Sequence, residues 1–582
     1  MGTENHQPNR LGRTPTLGAM VDWIGDPYQC GILSGLIEGA QAAGATFLCF
    51  IGDSLPLDPQ ADARHRTFNL ISLSTVDGLV VLASTLTHHV GIAGLAAYCN
   101  EHFCDLPFCS IGEPLPGVPS VTTSNASGIQ NILRHLISVH GHRRIAFVRG
   151  PLAHDEAEKR FTAYVSSLVE HGIEYDERLV AVGTFMAESG HAAVQQFAHI
   201  PGVRLGNLDA IVCSNDGMAI GVLRALEERG IAVPGTLAIT GFDDVDHASF
   251  ATPPLTTVRQ ALPKLGRQAA RNVLEWAQLG TKPTSEEVNT ELVIRRSCGC
   301  AEHSGQTRRS IAPELNCGFE SALLMRRQHV LDSLSRVARG ELGISGKDWQ
   351  AKLLNAFLAD LGADSPAELP RMIEEITEKL LLHGTDVRPC RDVIDCLRSQ
   401  LIVTLRGDAI RRERAEEIFY TAHLGIGRVV SRGMIRERAN LAGMVRSISI
   451  TCNELGRVPN LDQLRLTIGT RLPILGLHNY YIVKYRDGDP QQAELFMAHD
   501  RVPIDLSSSA SAFDSSLLLP SNLLPALSGR AFAVLPLAVR ELFLGHMLLE
   551  LDLFNSYSYD SIADAIASGM HRSQLSEAAG GT

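Results

Sequence analysis

The first half of the chain is predicted to be α/β, with parallel, doubly wound sheets; an α-helical region and then an α+β domain follow. Three observations carry this. Residues 17–297 alternate short apolar runs with apolar residues at helical spacing, residues 313–456 show helical spacing alone, and residues 457–575 contain two long apolar runs joined by a tight turn.

In the first half the strand candidates are 17–24, 46–51, 78–82, 107–111, 144–148, 210–213 and 237–240. Helical patterns lie between them. Ile32, Leu36, Ile37 and Ala40 share one face, as do Ile129, Leu133, Leu136 and Ile137, and then Met218, Val222, Leu223 and Leu226. Strands alternating with helices imply right-handed crossovers, and such sheets bind ligands beyond the carboxyl ends of their strands. Binding residues are therefore expected just after strands.

A length of 582 residues predicts two to four domains, and 45% apolar with 20% charged residues is a globular composition. The net charge of −12 opposes non-specific attraction to nucleic acid or an anionic membrane. The polar N-terminus lacks a signal-peptide core and no run is long enough to span a bilayer, so a cytoplasmic location is expected. Twelve scattered cysteines read as free thiols. Cys298-Gly299-Cys300 has no second Cys/His pair at zinc-site spacing, so it reads as a turn with two incidental thiols, and no metal is expected.

Four motifs occur in order: Gly141-His142-Arg143-Arg144-Ile145-Ala146-Phe147-Val148, Asn215-Asp216-Gly217-Met218-Ala219, Gly241-Phe242-Asp243-Asp244, and Pro253-Pro254-Leu255-Thr256-Thr257-Val258-Arg259-Gln260. Together they resemble the effector-binding domain of the lactose/galactose repressor family, related to periplasmic sugar-binding proteins. The resemblance implies two α/β lobes joined by three crossovers, here near Gly150, Pro253 and Thr284, with ligand in the cleft. It also implies the binding residues: Tyr28 as a stacking ring with Gln29 in place of a second one, Asn125 in a segment where Ser124 replaces an aspartate, and Arg160 as a fork of donors. Phe185 would form the opposite wall, Asn215 and Asp243 would meet hydroxyls, and Gln260 would sit where the chain re-enters the first lobe. A repressor of this family carries a helix-turn-helix ahead of the sensor. Only residues 1–16, read as a disordered tail, precede the first strand, so DNA binding through that head is not expected.

Residues 298–312 read as a linker. In 313–456, Trp349, Leu353, Leu354, Phe357, Leu358 and Leu361 mark one apolar face. A long helix is expected over 406–455, with Gly425, Gly427 and Gly433 as weak points. Leu441, Val445, Ile448, Cys452 and Leu455 form a short heptad seam, which suits either a helix packed on its own domain or a dimeric signalling helix. Arg411, Arg412, Arg414, Arg428, Arg432, Arg436 and Arg438 interleave with glutamates, as on a solvated, salt-bridged helix. In 457–575 the expected order is a helix (461–472), two strands (479–485 and 493–498), a hairpin (530–539 with 542–552) and a final helix (559–574). Ala533-Val534-Leu535-Pro536-Leu537 followed by Leu544-Gly545-His546-Met547-Leu548-Leu549 resembles a GAF domain; residues 576–582 are a tail. No catalytic set or phosphate-cradling loop is present, so the chain reads as a non-enzyme without a cofactor. The expected function is a sensor that binds a sugar or nucleoside-like molecule and relays lobe closure to the helical and GAF-like modules as a homodimer, toward an unidentified downstream partner. The alternative is a transcriptional regulator reaching DNA through another region or a partner.

Overall fold

The computed structural model describes residues 14–55, 63–152, 154–202, 204–300, 319–338, 348–363, 367–382, 387–405, 408–486, 489–504, 512–553 and 556–580. Residues 1–13 of the expected tail, 301–312 of the expected linker and the last two residues lie outside them.

β1 (Thr16–Val21), α1 (Pro27–Ala42), β2 (Thr46–Ile51), β3 (Gly78–Leu82), α2 (Ala83–His102), β4 (Phe108–Ile111) and β5 (Ser120–Thr123) form the first lobe. Its strands are parallel, and β1, β2 and β3 are buried along their whole length. That burial is why they read as unbroken apolar runs. The second lobe contains α3 (Asn125–His140), β6 (Ile145–Arg149), α4 (Asp155–Glu170), β7 (Val180–Val182), α5 (Ala187–Ala198), β8 (Ala210–Cys213), α6 (Asp216–Glu228), β9 (Ala238–Thr240), α7 (Asp246–Phe250) and β10 (Thr257–Arg259). Its four-stranded parallel sheet has the order β7-β6-β8-β9.

The chain then returns. α8 (Leu262–Leu279) packs against α1 so closely that a Cβ on Gly266 would lie 2.1 Å from the Ile32 carbonyl oxygen. β11 (Glu286–Val288) pairs with β5, and β12 (Glu291–Val293) crosses back to pair with β10. The crossovers therefore lie at Ser124, at Gln260–Ala261 and at 289–290, not near Gly150, Pro253 and Thr284. The first moves because α3 packs with β6 and belongs to the second lobe: Ile129, Ile132, Leu133 and Leu136 share a core with Ile145 and Phe147.

Residues 303–446 form a compact unit of their own. It comprises α9 (Phe319–Ala338), α10 (Trp349–Gly362), α11 (Glu368–Leu382), α12 (Arg388–Leu401) and most of α13 (Ala409–Leu455), which runs unbroken through Gly425, Gly427 and Gly433. Leu353, Phe357, Ile373, Leu397 and Phe419 are central to its core, with the Phe357 and Phe419 rings stacked at 5.0 Å. In the arginine-rich stretch Arg411 pairs with Asp408 and Arg428 with Glu374, so part of the stripe is engaged in ion pairs.

The other unit combines residues 1–302 with 447–582. Its C-terminal part contains α14 (Leu461–Ile474), β13 (Asn479–Arg486), β14 (Asp489–Asp500), β15 (Val502–Pro503), β16 (Phe513–Asp514), β17 (Ala531–Val539), β18 (Leu542–Glu550) and α15 (Tyr559–Gly580). β17 and β18 form the hairpin expected from the sequence, and β13 lies between β18 and β14. The free edge of β17 runs parallel to β2, with Ala531 opposite Phe47 and Val534 opposite Phe50. First-lobe and C-terminal strands thus make one 12-stranded sheet. Two stretches that the sequence presents as separate domains share their hydrogen bonding and their core. The physical reason is that an apolar edge strand leaves a row of unpaired N–H and C=O groups, and here each edge satisfies the other. Among the described residues no helix is long and apolar enough to cross a membrane.

Candidate functional site

The carboxyl ends of the strands in both lobes bring a set of buried polar side chains together. Arg160, on α4, is at the centre. Its Nε donates to Asn125 Oδ1 at 2.7 Å and its NH1 to the Ser214 carbonyl at 2.7 Å. Its guanidinium lies 3.9 Å from the Phe242 ring centroid. Asp243 Oδ1 stands 3.8 Å from Arg160 NH1 and accepts from Gln260 Nε2 at 2.6 Å. Burial pushes the Asp243 carboxyl up to about 7, against the opposing pull of Arg160. Asp243 has φ 116, a left-handed backbone that holds its carboxylate toward Gln260.

The same set fastens the crossovers together. The Thr123 hydroxyl, at the end of β5, donates to Gln260 Oε1 at 2.8 Å, and the Thr290 N–H donates to Ser124 Oγ at 3.1 Å. Each bond joins two of the three crossing segments. Ser124, where the family resemblance implies aspartate, thus holds a neighbouring segment of the hinge.

Tyr28 enters from the first lobe at the start of α1. Its hydroxyl meets Ser84 Oγ at 3.3 Å, and burial raises its pKa, with Glu156 and Asp243 adding to the rise and Arg160 opposing it. Phe185, held at φ 66, sets its ring edge-on to His154 at 5.1 Å. His154 Nε2 lies 2.9 Å from the Ser84 carbonyl, and the Asp155 N–H donates to Glu113 Oε1 at 2.8 Å. Second-lobe residues thus touch first-lobe residues directly across the cleft.

The structure brings Tyr28, Asn125, Arg160, Asp243 and Gln260 around one centre, with Phe185 at its edge. It places two others differently. Gln29 is buried, and its amide donates to Asp22 Oδ1 at 2.7 Å, within the first lobe. Asn215 caps α6: its Oδ1 accepts from the Met218 N–H at 3.0 Å, and its amide donates to the Phe185 carbonyl at 3.0 Å. Asn215 holds the wall in shape.

Several residues of the site were not singled out in the sequence. Glu156 is buried and accepts from Asn125 Nδ2 at 3.1 Å; Glu113, His154 and Ser84 carry the contacts between lobes. Ser84 and Glu113 lie just beyond β3 and β4, where the rule that ligands meet strand carboxyl ends was the available signal; His154 and Glu156 lie at the start of α4. Cys298-Gly299-Cys300 reads in the sequence as a turn with two incidental thiols, and the fold brings His135 and His140 against them.

Two sheet-based lobes, three crossing segments and a buried polar cleft define a periplasmic-binding-protein-like receptor domain. The periplasmic binding protein-like domain family matches residues 133–298. The chain is 31% identical over 300 residues to the HTH-type transcriptional repressor CytR of Escherichia coli (strain K12), covering 50% of this chain and 83% of that protein. To the HTH-type transcriptional regulator CelR of Thermobifida fusca it is 29% identical over 311 residues, covering 50% and 85%. A solved transcriptional regulator CelR–cellobiose complex is 29% identical, with TM-score 0.43, covering 50% of this chain and 86% of that one. The chain belongs to the LacI-type family of transcriptional regulators with a periplasmic-binding-protein-like domain.

Proposed function

We propose that this protein is a transcriptional regulator whose interlobe cleft binds a small polyhydroxylated molecule, a sugar or nucleoside. The carrying observation is the linked set Asn125–Arg160–Asp243–Gln260, which offers donors and acceptors together and is anchored on the hinge. The named functions of the relatives favour transcription over a relay to a separate signalling partner. The C-terminal α/β part, which carries the GAF-like resemblance, moves in this proposal with the first lobe because β17 and β2 share a ladder. Ligand closes the second lobe on that combined body, since contacts made in only one state are what shift a population. A thermal-shift screen of sugars and nucleosides on the whole chain tests the reading. A ligand that binds only the folded state raises its melting temperature, and a flat response across both classes counts against the proposal.

Affinity for such a ligand is expected to depend on pH. A hydroxyl donor prefers the ionised Asp243, whose carboxyl titrates at about 7. Binding should weaken as pH falls below about 7, by up to about tenfold per unit, and should level off above it. The free protein moves the other way. The raised folded-state pKa means that the stability contributed by this group is present below the ordinary carboxylate range and is lost as pH rises through about 7. Calorimetric titrations from pH 5.5 to 8.5 check this, and an equal slope in Asp243→Asn would exclude Asp243 as the origin.

The heptad seam divides into two parts. Leu455 is buried in the core of the protein's own C-terminal part and Cys452 packs against that core, whereas Leu441 and Val445 are 47% and 58% exposed. The exposed pair is proposed to meet a second copy of α13. Light scattering of the whole chain should show a dimer, converted to monomer by Leu441→Glu with Val445→Glu; a wild-type monomer at tens of micromolar would exclude it.

A further inference from the structure

Away from the cleft, four side chains of metal-ligating type converge within the second lobe. His135 lies in the last turns of α3, and His140 is its final residue. Cys298 and Cys300 flank Gly299, where the chain leaves the receptor domain. Gly299 has φ 100, a left-handed turn that a side chain would strain, and it lets both thiols face the helix end. The four atoms lie within 4.8 Å of one another. His135 Nε2 and His140 Nε2 are 3.3 Å apart; Cys298 Sγ is 3.5 Å from His135 Nε2, and Cys300 Sγ is 3.6 Å and 3.3 Å from the two nitrogens.

Those separations fit a tetrahedral metal site. A tetrahedral zinc ion with Zn–N of about 2.05 Å and Zn–S of about 2.3 Å requires about 3.3 Å between its nitrogens and about 3.6 Å between sulfur and nitrogen. The two imidazole planes stand 79° apart, an arrangement that two ligands on different vertices of a tetrahedron can adopt. A hydrogen-bonded cluster needs only pairwise contacts, yet here both imidazole nitrogens and Cys300 Sγ are mutually close, and Cys298 Sγ lies within 4.8 Å of all three. We propose that His135, His140, Cys298 and Cys300 form a structural Cys2His2 zinc site. Two thiolates with two imidazoles in tetrahedral array suit zinc, and four protein ligands leave no open position for a substrate.

The histidines and cysteines are 158 to 165 residues apart in sequence, so the metal would close a long loop. It would tie the end of the receptor domain to the helix that opens the second lobe. The point where the chain leaves the receptor domain would then move with that lobe.

The test uses the full-length chain purified under reducing conditions. Elemental analysis should find about one zinc per chain, lost in Cys298→Ser with Cys300→Ser and in His135→Ala. The metal should be kept in His142→Ala, a neighbouring histidine outside the set. Should the cysteine variants fail to fold, cobalt titration of the chelator-stripped wild type decides: visible bands of tetrahedral, thiolate-bound cobalt are expected, with the sulfur charge-transfer band strengthened in His140→Cys. Three results each overturn the proposal: no bound metal together with a featureless cobalt titration, zinc retained in full by a folded double-cysteine variant, or a Cys298–Cys300 disulfide that persists under those reducing conditions.

Discussion

A fragment ending at residue 302 is expected to fail to fold on its own, even though it contains the whole receptor domain. β2 would lose β17, exposing the N–H and C=O groups that now pair along Phe47–Phe50. The two apolar clusters flanking the joint sheet draw on both parts of the chain. Leu17, Phe47 and Leu36 share one with Tyr480, Ala533 and Ile562, while Phe50, Phe68 and Val81 share the other with Tyr481, Phe532 and Val534. Each fully buried large apolar side chain contributes about 1.5–3 kcal/mol, so losing half a dozen such contacts rivals the 5–15 kcal/mol that keeps a domain folded. Arg64 also loses its two bonds to the Asp564 carboxylate, at 2.9 and 2.7 Å. The fragment should be insoluble or melt without a cooperative transition, and co-expression with residues 447–582 should restore it. In the intact chain, Val534→Asp should cost several kcal/mol by burying an unpaired charge in the shared sheet. A soluble, cooperatively melting 1–302 fragment within a few degrees of the whole chain would show that the joint sheet is dispensable.

Arg160→Ala is expected to cost about 3–5 kcal/mol of stability as well as all ligand response, because removing one partner leaves buried charge uncompensated. Asn125 Oδ1, the Ser214 carbonyl and Asp243 each lose their contact with the guanidinium, and the Phe242 face loses its cation. Asp243→Asn should behave differently. An amide oxygen still accepts from Gln260, and the burial penalty that raises the carboxyl to about 7 disappears, so stability at pH 8 should hold or rise while ligand affinity falls. Denaturant melts and calorimetry on both variants separate the two roles. If Arg160→Ala unfolds within about 0.5 kcal/mol of wild type, the guanidinium is a surface-like contact and the site as described is wrong.

The contrast between these variants shows where residue-level reading stops. Arg160 was legible as a fork of donors, but not as the structural centre of the cleft, because its three partners come from α3, from the turn after β8 and from the turn after β9. Asn215 read as a ligand contact, and the cap that its Oδ1 makes on the Met218 N–H at 3.0 Å emerged only with the start of α6.

What the sequence alone determined is local or ordered along the chain. The apolar runs at 46–51, 78–82 and 210–213 coincide with β2, β3 and β8, and the C-terminal hairpin with β17 and β18. These are legible because a strand buried on both faces must be apolar at every position, and a helix must repeat at its own period. The tertiary structure alone decided pairings between distant segments. Nothing within 46–51 specifies 531–534 as its neighbour, since any apolar edge of matching length satisfies the same backbone groups. The membership of α3 in the second lobe moved the first crossover, and that same placement set His135 and His140 beside Cys298 and Cys300. Ligand spacing can be read from a sequence when a site is local; here 160 residues separate its halves, and only the packing of α3 against the end of the receptor domain brings them together.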